Sequence, residues 1–309
     1  MNLIARRRAA PALRLVPGFR EPPQSILGYL LVAPAYLFIV GLTIFPIFYA
    51  MYISLHQLSL TLPGMPFVGL RNYQAIVASS DFWQSMWVTT YFVFVSLAVQ
   101  FPLGVAIALL LNESISGRGV LRAAILIPWA IAPVVNGLLW QWILNPRYGA
   151  LNGLLKQLGI IHDDILWLGD AFRAINVVIL ADTWKVFPIY VILFLAVLQT
   201  VPTELHEAAH IDGANAWQRF LNITVPFLKP MVLVVLVLRT VQTFREFEIV
   251  YVLTGGPAGG TQVIAFHVYR ETFGNLNFGY GAALSFVMAF ITLVLAGAYL
   301  TVLRSEEMY

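Results

Sequence analysis

Long apolar runs separated by more polar stretches dominate the hydrophobic pattern along this chain. A helix needs roughly 20 apolar residues to cross about 30 Å of hydrocarbon, and six runs are long enough. The pattern therefore predicts an all-α integral membrane protein with six transmembrane helices. The predicted spans are residues 27–53, 86–111, 123–144, 174–199, 228–250 and 281–303.

The composition supports a membrane protein and excludes several other classes. Of the 309 residues, 60% are hydrophobic and only 11% are charged. That is too little charge to keep a folded domain of this size in solution, and the chain is too apolar to be disordered. The chain has no cysteine, so disulfides, thiolate catalysis, iron–sulfur clusters and cysteine-ligated zinc are excluded.

The distribution of basic residues predicts the orientation in the membrane. Six spans place both termini on one side; ten of the 18 Lys and Arg residues fall in the tails and loops of that side, and four fall in loops of the opposite side. Because cytoplasmic loops carry the excess of positive charge, both termini are predicted to be cytoplasmic. The basic residues form no compact patch, so nucleic acid is not an expected partner. The predicted segments are a basic cytosolic tail over 1–26, a six-helix transmembrane domain over 27–303 and a cytosolic tail over 304–309.

The cytosolic connection between spans four and five, residues 200–227, is patterned for two short helices. Thr203 is the predicted N-cap of the first helix. This helix is predicted to end near Asp212 and Gly213, because glycine adopts the left-handed conformation that stops a helix. The second helix places Trp217 on an apolar side before Pro226 breaks it. Such a loop can present a short amphipathic helix to a partner.

Three motifs carry a resemblance to a known family. The spacing of the first motif resembles the EAA loop of binding-protein-dependent ABC importer permeases, with Val225 where that family usually has Leu. The second and third motifs are similar to stretches of the sugar-importing subfamily of maltose type, and the likeness covers roughly residues 25–303. The first motif is Glu207-Ala208-Ala209, Gly213, Ile223 and Pro226; the second is Trp184-Lys185-Val186-Phe187-Pro188; the third is Leu253-Thr254-Gly255-Gly256-Pro257.

The resemblance implies a six-helix importer permease fold in a bacterial or archaeal plasma (inner) membrane. It implies two cytosolic ATPase subunits, a second permease subunit and an extracellular sugar-binding protein as partners, with membrane lipid around the helices. ATP and Mg²⁺ belong to the ATPase subunits, and this chain is expected to bind no cofactor and to catalyse no reaction. Consistently, the sequence has no Gly-Lys dipeptide and hence no phosphate-binding loop of the G-x-x-x-x-G-K-[ST] type. The expected ATPase-coupling residues are Glu207, Ala208, Ala209, Gly213, Trp217, Ile223 and Pro226.

The same loop also contains a motif of a different class. His206-Glu207-Ala208-Ala209-His210 fits H-E-x-x-H, in which two histidines one helical turn apart bind zinc beside a glutamate base. An intramembrane zinc protease is therefore an alternative, although zinc needs a third protein ligand and the following span has no histidine. His56, His162 and His267 stand alone in external segments and are expected to be solvated or to cap helices.

Charged residues lie within spans four and five. Charges at that depth cost several kcal/mol unless they are paired or hydrated. Two interpretations are open: the charges pair and hold two helices together, as Lys185 with Glu246 or Asp182 with Arg239 would, or they line a polar pathway. In the maltose-type permeases that this chain resembles, sugar contacts fall on the same two helices. The implied substrate-binding positions are Asp182, Lys185, Arg239, Gln242, Thr243 and Glu246.

The sum of the intramembrane charges favours a neutral substrate. Three cations balance three anions, and sugar hydroxyls both donate to carboxylates and accept from Arg or Lys. The predicted function is thus half of the translocation pathway of an ATP-driven importer for a neutral sugar or oligosaccharide. A glycerol-phosphate permease is an alternative that calls for surplus positive charge, and an ion-coupled carrier is a further one. The six charged residues are Asp182, Lys185, Arg239, Arg245, Glu246 and Glu248.

Overall fold

The structure is a computed structural model that describes residues 24–114, 116–255 and 260–304. Residues 1–23 of the predicted basic tail, residue 115, residues 256–259 and residues 305–309 lie outside the described residues. Gly256 and Pro257 of the Leu253–Pro257 motif are among them. The described part of the chain is helical and contains no β-strand, only two isolated β-bridges. The helices are α1 (Gln24–Ile39), α2 (Phe45–Ser54), α3 (Arg71–Ala78), α4 (Ser80–Asn112), α5 (Arg118–Ile125), α6 (Ile127–Ala130), α7 (Pro133–Ile143), α8 (Ala150–Gln157), α9 (Ala171–Leu198), α10 (Thr203–Ile211), α11 (Ala216–Arg219), α12 (Val225–Phe244), α13 (Glu248–Thr254), α14 (Ile264–Tyr269) and α15 (Phe278–Arg304).

Five helices among the described residues are long and apolar enough to cross a membrane, and a bent pair makes six if it is counted as one span. Two of them run through short π-helical segments, Val40–Ile44 in the first and Phe220–Thr224 in the fourth. The five helices are Ile26–Ser54, Ser80–Asn112, Ala171–Leu198, Ala216–Phe244 and Phe278–Thr301, and the bent pair is Arg118–Ala130 with Pro133–Ile143.

The third predicted span is bent rather than straight. Its two parts meet at 93°, and Ile131 and Ala132 between them have extended backbone. The bend has a local cause, because the ring of Pro133 disfavours the helical conformation in the residue before it. Pro133 itself begins α7, where its missing N–H costs no helical hydrogen bond.

The fifth span also differs from its predicted bounds at both ends. Pro226 does not break a helix, because Ala216–Phe244 is one long helix. The π-helical segment before Pro226 accommodates it: the Val225 N–H already bonds to the Phe220 carbonyl five residues earlier, so the ladder has shifted where proline offers no donor. At the other end α12 stops at Phe244 instead of continuing to residue 250.

The chain forms two units, residues 1–50 and 51–309. In the first unit, the side chains of residues 26–50 are apolar for the most part and none of them is buried. In the second unit, α4 packs along α9, α12 packs against α15, α4 and α9, and α13 packs against α7. The core of this unit is therefore built around α4, α9 and α12.

Two apolar clusters lie one after the other along α9. The first contains Ile175 and Val178 of α9 with Phe92 of α4, and the second contains Tyr190 and Phe194 of α9 with residues of α4 and α12. The buried residues Asp182 and Thr183 lie between the two clusters, at most 4% exposed. Asp182 is about 16 Å along the helix from the start of α9, at about 1.5 Å per residue.

Candidate functional site

The 200–227 loop begins with α10. Pro202, not Thr203, occupies the N-cap position, and no side chain caps the helix. At the other end Gly213 has φ of +79°, its N–H donates to the carbonyl three residues earlier at 3.1 Å, and the Ala214 N–H donates to the Ala209 carbonyl at 2.9 Å. These two bonds form a Schellman motif. Gly213 therefore ends α10 in a left-handed conformation, the geometry predicted from the sequence.

The second half of the loop is fixed by its own cap. The Asn215 side chain accepts from the Gln218 N–H at 2.9 Å, and the Gln218 side chain accepts from the Asn215 N–H at 2.8 Å. This capping box satisfies two amides that a helix start leaves unpaired. Trp217 then stacks on Phe220, with ring centroids 5.4 Å apart. Local interactions thus define the loop conformation.

Large apolar side chains of the loop are exposed. Ile211 is 85% exposed and Trp217 is 65% exposed, and Leu205 and Leu221 are also exposed. Of these four residues, Trp217 lines a groove of about 800 Å³, together with Asn112, Glu113, His206, Arg219 and Phe220 among others. Clustered exposed apolar side chains mark an interaction surface. Of the predicted coupling residues, Ala209 and Ile223 are half-buried, and the exposed ones are Glu207, Ala208, Gly213, Trp217 and Pro226.

Between the membrane helices, Asp182 of α9 and Arg239 of α12 form an ion pair. The Arg239 Nη2 donates to Asp182 Oδ2, and the two side chains are 1% and 3% exposed. The guanidinium also lies over the ring of Phe92, 5.8 Å from its centroid. Of the two pairings open from the sequence, this is the one in ion-pairing contact. Each charge is thereby compensated inside the protein, which removes most of the cost of burying it.

Gln100 of α4 joins this pair, and the sequence analysis missed it. Its Nε2 donates to Asp182 Oδ2 and to Thr183 Oγ1, both at 3.1 Å, and the residue is fully buried. A carboxamide in the middle of an otherwise apolar span was the available signal, because such residues hydrogen-bond across membrane helices. Gln100, Asp182, Thr183 and Arg239 together form what we call the polar layer.

The other predicted substrate-binding residues differ in burial. Thr243 is buried and its hydroxyl donates to the Arg239 carbonyl at 2.9 Å, so it is bonded within its own helix. Lys185 and Glu246 are half-buried, and Gln242 is exposed. Glu246 lies after the end of α12, in the break before α13, so it does not continue the helical stripe that the sequence predicted.

A known protein family matches about two thirds of the chain. Residues 100–304 match the family described as the inner membrane component of binding-protein-dependent transport systems. The chain belongs to this family. The matched region contains the 200–227 loop and every residue of the polar layer.

Relatives of this permease carry names from two substrate classes. The trehalose/maltose transport system permease protein of Thermococcus litoralis is 41% identical over 285 residues, covering 91% of this chain and 95% of the relative. The sn-glycerol-3-phosphate transport system permease protein of Agrobacterium fabrum is 35% identical over 275 residues, covering 88% and 93%.

A solved structure has the same fold as this permease. It is a chain of a bacterial alginate ABC transporter in complex with an alginate pentasaccharide-bound periplasmic protein. The TM-score is 0.80 at 22% identity, and the match covers 92% of this permease and 96% of the other chain. The importer permease fold expected from the sequence is therefore confirmed.

The H-E-x-x-H pattern of the permease lies on α10, with His210 exposed and His206 half-buried. In the described residues no group of three or more His, Asp or Glu side chains is placed to hold a metal ion. The pattern thus lacks a third ligand within that part of the chain, which zinc requires.

A second polar cluster of the permease joins the start of α4 to α14, and it corrects the expectation for His267. His267 is 1% exposed, and its Nδ1 lies 3.2 Å from the Ser85 hydroxyl. Burial lowers the pKa of His267 below its usual value of 6.5. Arg270 bonds to Gln262 at 2.7 Å and to Asp81 at 3.0 Å. No pattern in the sequence indicated this cluster, because its two halves lie far apart along the chain.

Proposed function

We propose that this permease forms half of the translocation pathway of an ATP-driven importer for a neutral sugar or oligosaccharide that an extracellular binding protein delivers. Family membership and the trehalose/maltose name of a 41% identical relative support the substrate class. The periplasmic protein bound in the alginate transporter structure supports a partner of that kind. A second permease subunit, a homologue or a copy of this chain, completes the pathway.

The observation that carries the proposal is the exposed apolar surface of the 200–227 loop. Its helices end in local hydrogen-bonded caps, yet Ile211 is 85% exposed, and Trp217 remains 65% exposed although it stacks on Phe220. Docking on a cytosolic ATPase subunit would bury them, at a gain of roughly 25 cal/mol per Å². Two such subunits supply the ATP and Mg²⁺ chemistry, and their closure displaces the loop.

The membrane orientation in this proposal follows the charge bias of the sequence. Both termini and the 200–227 loop lie in the cytoplasm of a bacterium or archaeon, because that side carries ten basic residues against four. The chain is then a multi-pass protein of the plasma (inner) membrane.

Within the pathway, Lys185, Gln242 and Glu246 contact the substrate directly. These three are half-buried or exposed on the surface of this chain, so a solute between two permease subunits can reach them. Asp182 and Arg239 are buried and bonded to each other, so they support the contact residues from behind. Thr243 does the same from within α12.

The charge on the accessible face favours a neutral solute over a glycerol phosphate. Lys185 balances Glu246, and the exposed pair Arg245 and Glu248 is balanced as well. A phosphate dianion would need surplus positive charge. A glycerol phosphate remains the second candidate because of the 35% identical relative.

Co-purification tests the class of protein. The tagged chain is extracted gently from its native membrane, and co-purifying chains are identified by mass spectrometry while zinc is measured in the same sample. We expect an ATPase subunit and a second permease. A chain that arrives alone with one equivalent of zinc would overturn the importer proposal in favour of a zinc hydrolase.

Uptake kinetics test the substrate face. Replacing Lys185 by Met should raise the substrate concentration needed for half-maximal uptake about tenfold, since one charge-assisted hydrogen bond is lost. Lys156→Met is the matched control, because Lys156 of α8 is an exposed lysine that pairs with Asp164 at 2.8 Å. Equal kinetics for both variants would show that Lys185 does not contact the substrate.

A further inference from the structure

A single oxygen atom, Asp182 Oδ2, joins three helices through its hydrogen bonds. Asp182 Oδ2 accepts from Gln100 of α4 and from Arg239 of α12, and Asp182 itself belongs to α9. The junction lies between the two apolar clusters of α9, deep inside the second unit.

The hydrogen bonds of Gln100 restrain both the rotation of α9 about its axis and its position along that axis, relative to α4. Gln100 bonds to Asp182 and to Thr183, which point about 100° apart around the helix axis. Two bonds in different directions resist both sliding and turning. Apolar packing along the two helices also resists sliding, but it is less directional than a hydrogen bond.

Two of the three helices at this junction, α9 and α12, flank the 200–227 loop. α9 ends at Leu198, shortly before α10, and α11 continues without a break into α12. A displacement of the loop therefore acts on α9 and α12 together, which the Asp182–Arg239 pair connects. α4 has no covalent link to the loop and follows only through its contacts.

We propose that Gln100 is a positioning residue that makes α4 move as one body with α9 and α12 during the transport cycle. The inference rests on the proposed function, because the motion starts at the ATPase subunits. Without Gln100, α9 and α12 still move together through their ion pair. α4 is then tied to α9 at its outer end, where the Tyr91 hydroxyl donates to Asn176 Oδ1 at 2.9 Å, but no longer at the polar layer, so its position there can shift relative to α9. Part of the ATP-driven displacement of the loop is then not transmitted to the substrate-binding residues.

Distances between spin labels test the motion directly. The chain has no native cysteine, so labels can be placed at Val99 of α4, Leu180 of α9 and Leu238 of α12, which are all exposed. The complete transporter, assembled with cysteine-free partners, is measured without nucleotide and with Mg-ATP. In the native sequence we expect both the Val99–Leu180 and the Leu180–Leu238 distances to stay constant.

In Gln100→Leu, the Val99–Leu180 distance should change or broaden with Mg-ATP, whereas the Leu180–Leu238 distance should stay fixed. A Val99–Leu180 distance that shifts with nucleotide in the native sequence would overturn the proposal. So would one that stays constant in Gln100→Leu. The native-sequence measurement keeps the proposal testable even if the variant does not fold.

Transport efficiency gives a second readout in proteoliposomes, with radiolabelled maltose and trehalose as probes. Gln100→Leu should lower the sugar imported per ATP about tenfold, the scale of one hydrogen bond to a charged group. The matched control is Ser96→Ala, one turn away on the same buried side of α4, whose hydroxyl has no partner among the described residues. An equal ratio for both variants contradicts the proposal.

The two proposals fail in different ways. If neither probe enters with the native sequence while the ATPase subunits co-purify, the sugar assignment is wrong and the distances still decide the role of Gln100. If no ATPase subunit binds, the proposed function and this inference are both overturned.

Discussion

The 200–227 loop and the polar layer invert the usual placement of side chains. The loop exposes large apolar residues such as Ile211 and Trp217, whereas the polar layer buries a full ion pair, Asp182 and Arg239, between apolar clusters. In the polar layer each charge finds its partner within the same chain. In the loop, local hydrogen bonds form the caps at the end of α10 and the start of α11, but most of the surface of Ile211 and Trp217 is left exposed.

This difference shows where the energetics of each region lie. Changing the polar layer alters interactions inside one chain, so stability should respond first. Changing an exposed side chain of the loop removes few contacts inside the chain, at Trp217 the stacking on Phe220, so assembly and transport should respond first. The two regions can therefore be separated by measuring stability and transport on the same variants.

The largest effect on transport is expected from Gly213→Asp, which should abolish uptake. A Cβ at Gly213 meets nothing within 4 Å, so the substitution causes no clash inside the chain. Asp tolerates the left-handed conformation better than most residues, so the helix end should survive. Uptake is measured in cells, together with the amount of protein in the membrane.

Gly159→Asp is the control for Gly213→Asp. Gly159 also has a left-handed backbone, with φ of +69°, and open space around it, but it lies in a loop on the other side of the predicted topology. Loss of uptake in both variants would point to backbone strain instead of a docking defect.

The next largest effect is expected from Arg239→Met. This change leaves Asp182 as an unpaired buried charge, which should lower the free energy of unfolding by about 3–5 kcal/mol. The double variant Asp182→Leu with Arg239→Met should recover most of the loss, since it removes both charges. Denaturant unfolding of the purified chain in detergent gives both values. A double variant as unstable as the single one would contradict the pairing.

Trp217→Ala should weaken binding of the ATPase subunit by about 2 kcal/mol, roughly thirty-fold, without lowering stability. Tryptophans at the centre of an interface contribute on this scale. Trp87→Ala is the matched control, since Trp87 is equally exposed but lies on α4. Association is measured by titrating the detergent-solubilised permease with the ATPase subunit. Equal affinity for both variants would remove Trp217 from the interface.

The smallest effect concerns pH and the cluster around His267. Because burial lowers the pKa of His267 in the folded chain, the folded state disfavours its protonation. Above pH 6.5 His267 is neutral in both the folded and the unfolded chain, and its burial costs no protonation energy. As the pH drops below 6.5 toward the lower pKa of the folded state, the unfolded chain binds a proton first, so the free energy of unfolding should fall. In His267→Gln this part of the pH dependence should vanish. Melting temperatures between pH 5 and 8 provide the measurement, and parallel curves for the two proteins would contradict it.

The sequence predicted the helical class because apolar length alone indicates a membrane helix. It did not predict the bend at Ile131 and Ala132, since hydropathy over roughly 20 residues does not register a change of direction. The effect expected of Pro226 was wrong for a different reason. A π-helical segment absorbed the missing donor, and no composition rule shows whether a helix will form one.

For the site, the sequence located the charged residues but not their partners. Asp182 and Arg239 lie on different helices, and their pairing depends on the rotation of both, which periodicity within one helix cannot supply. Gln100 was visible as a polar residue in an apolar span and was overlooked. The break after Phe244 removed Glu246 from the predicted stripe, because that stripe assumed a helix continuing to residue 250.

The ion pair also limits the routes by which this gene can change over generations. A lineage that loses Arg239 alone carries an uncompensated carboxylate among apolar side chains, and one that loses Asp182 alone carries an uncompensated guanidinium. A lineage that has lost both escapes either penalty, but every path of single substitutions passes through an unfavourable ancestor. Among related sequences, the residues at positions 182 and 239 are therefore expected to be retained together or replaced together.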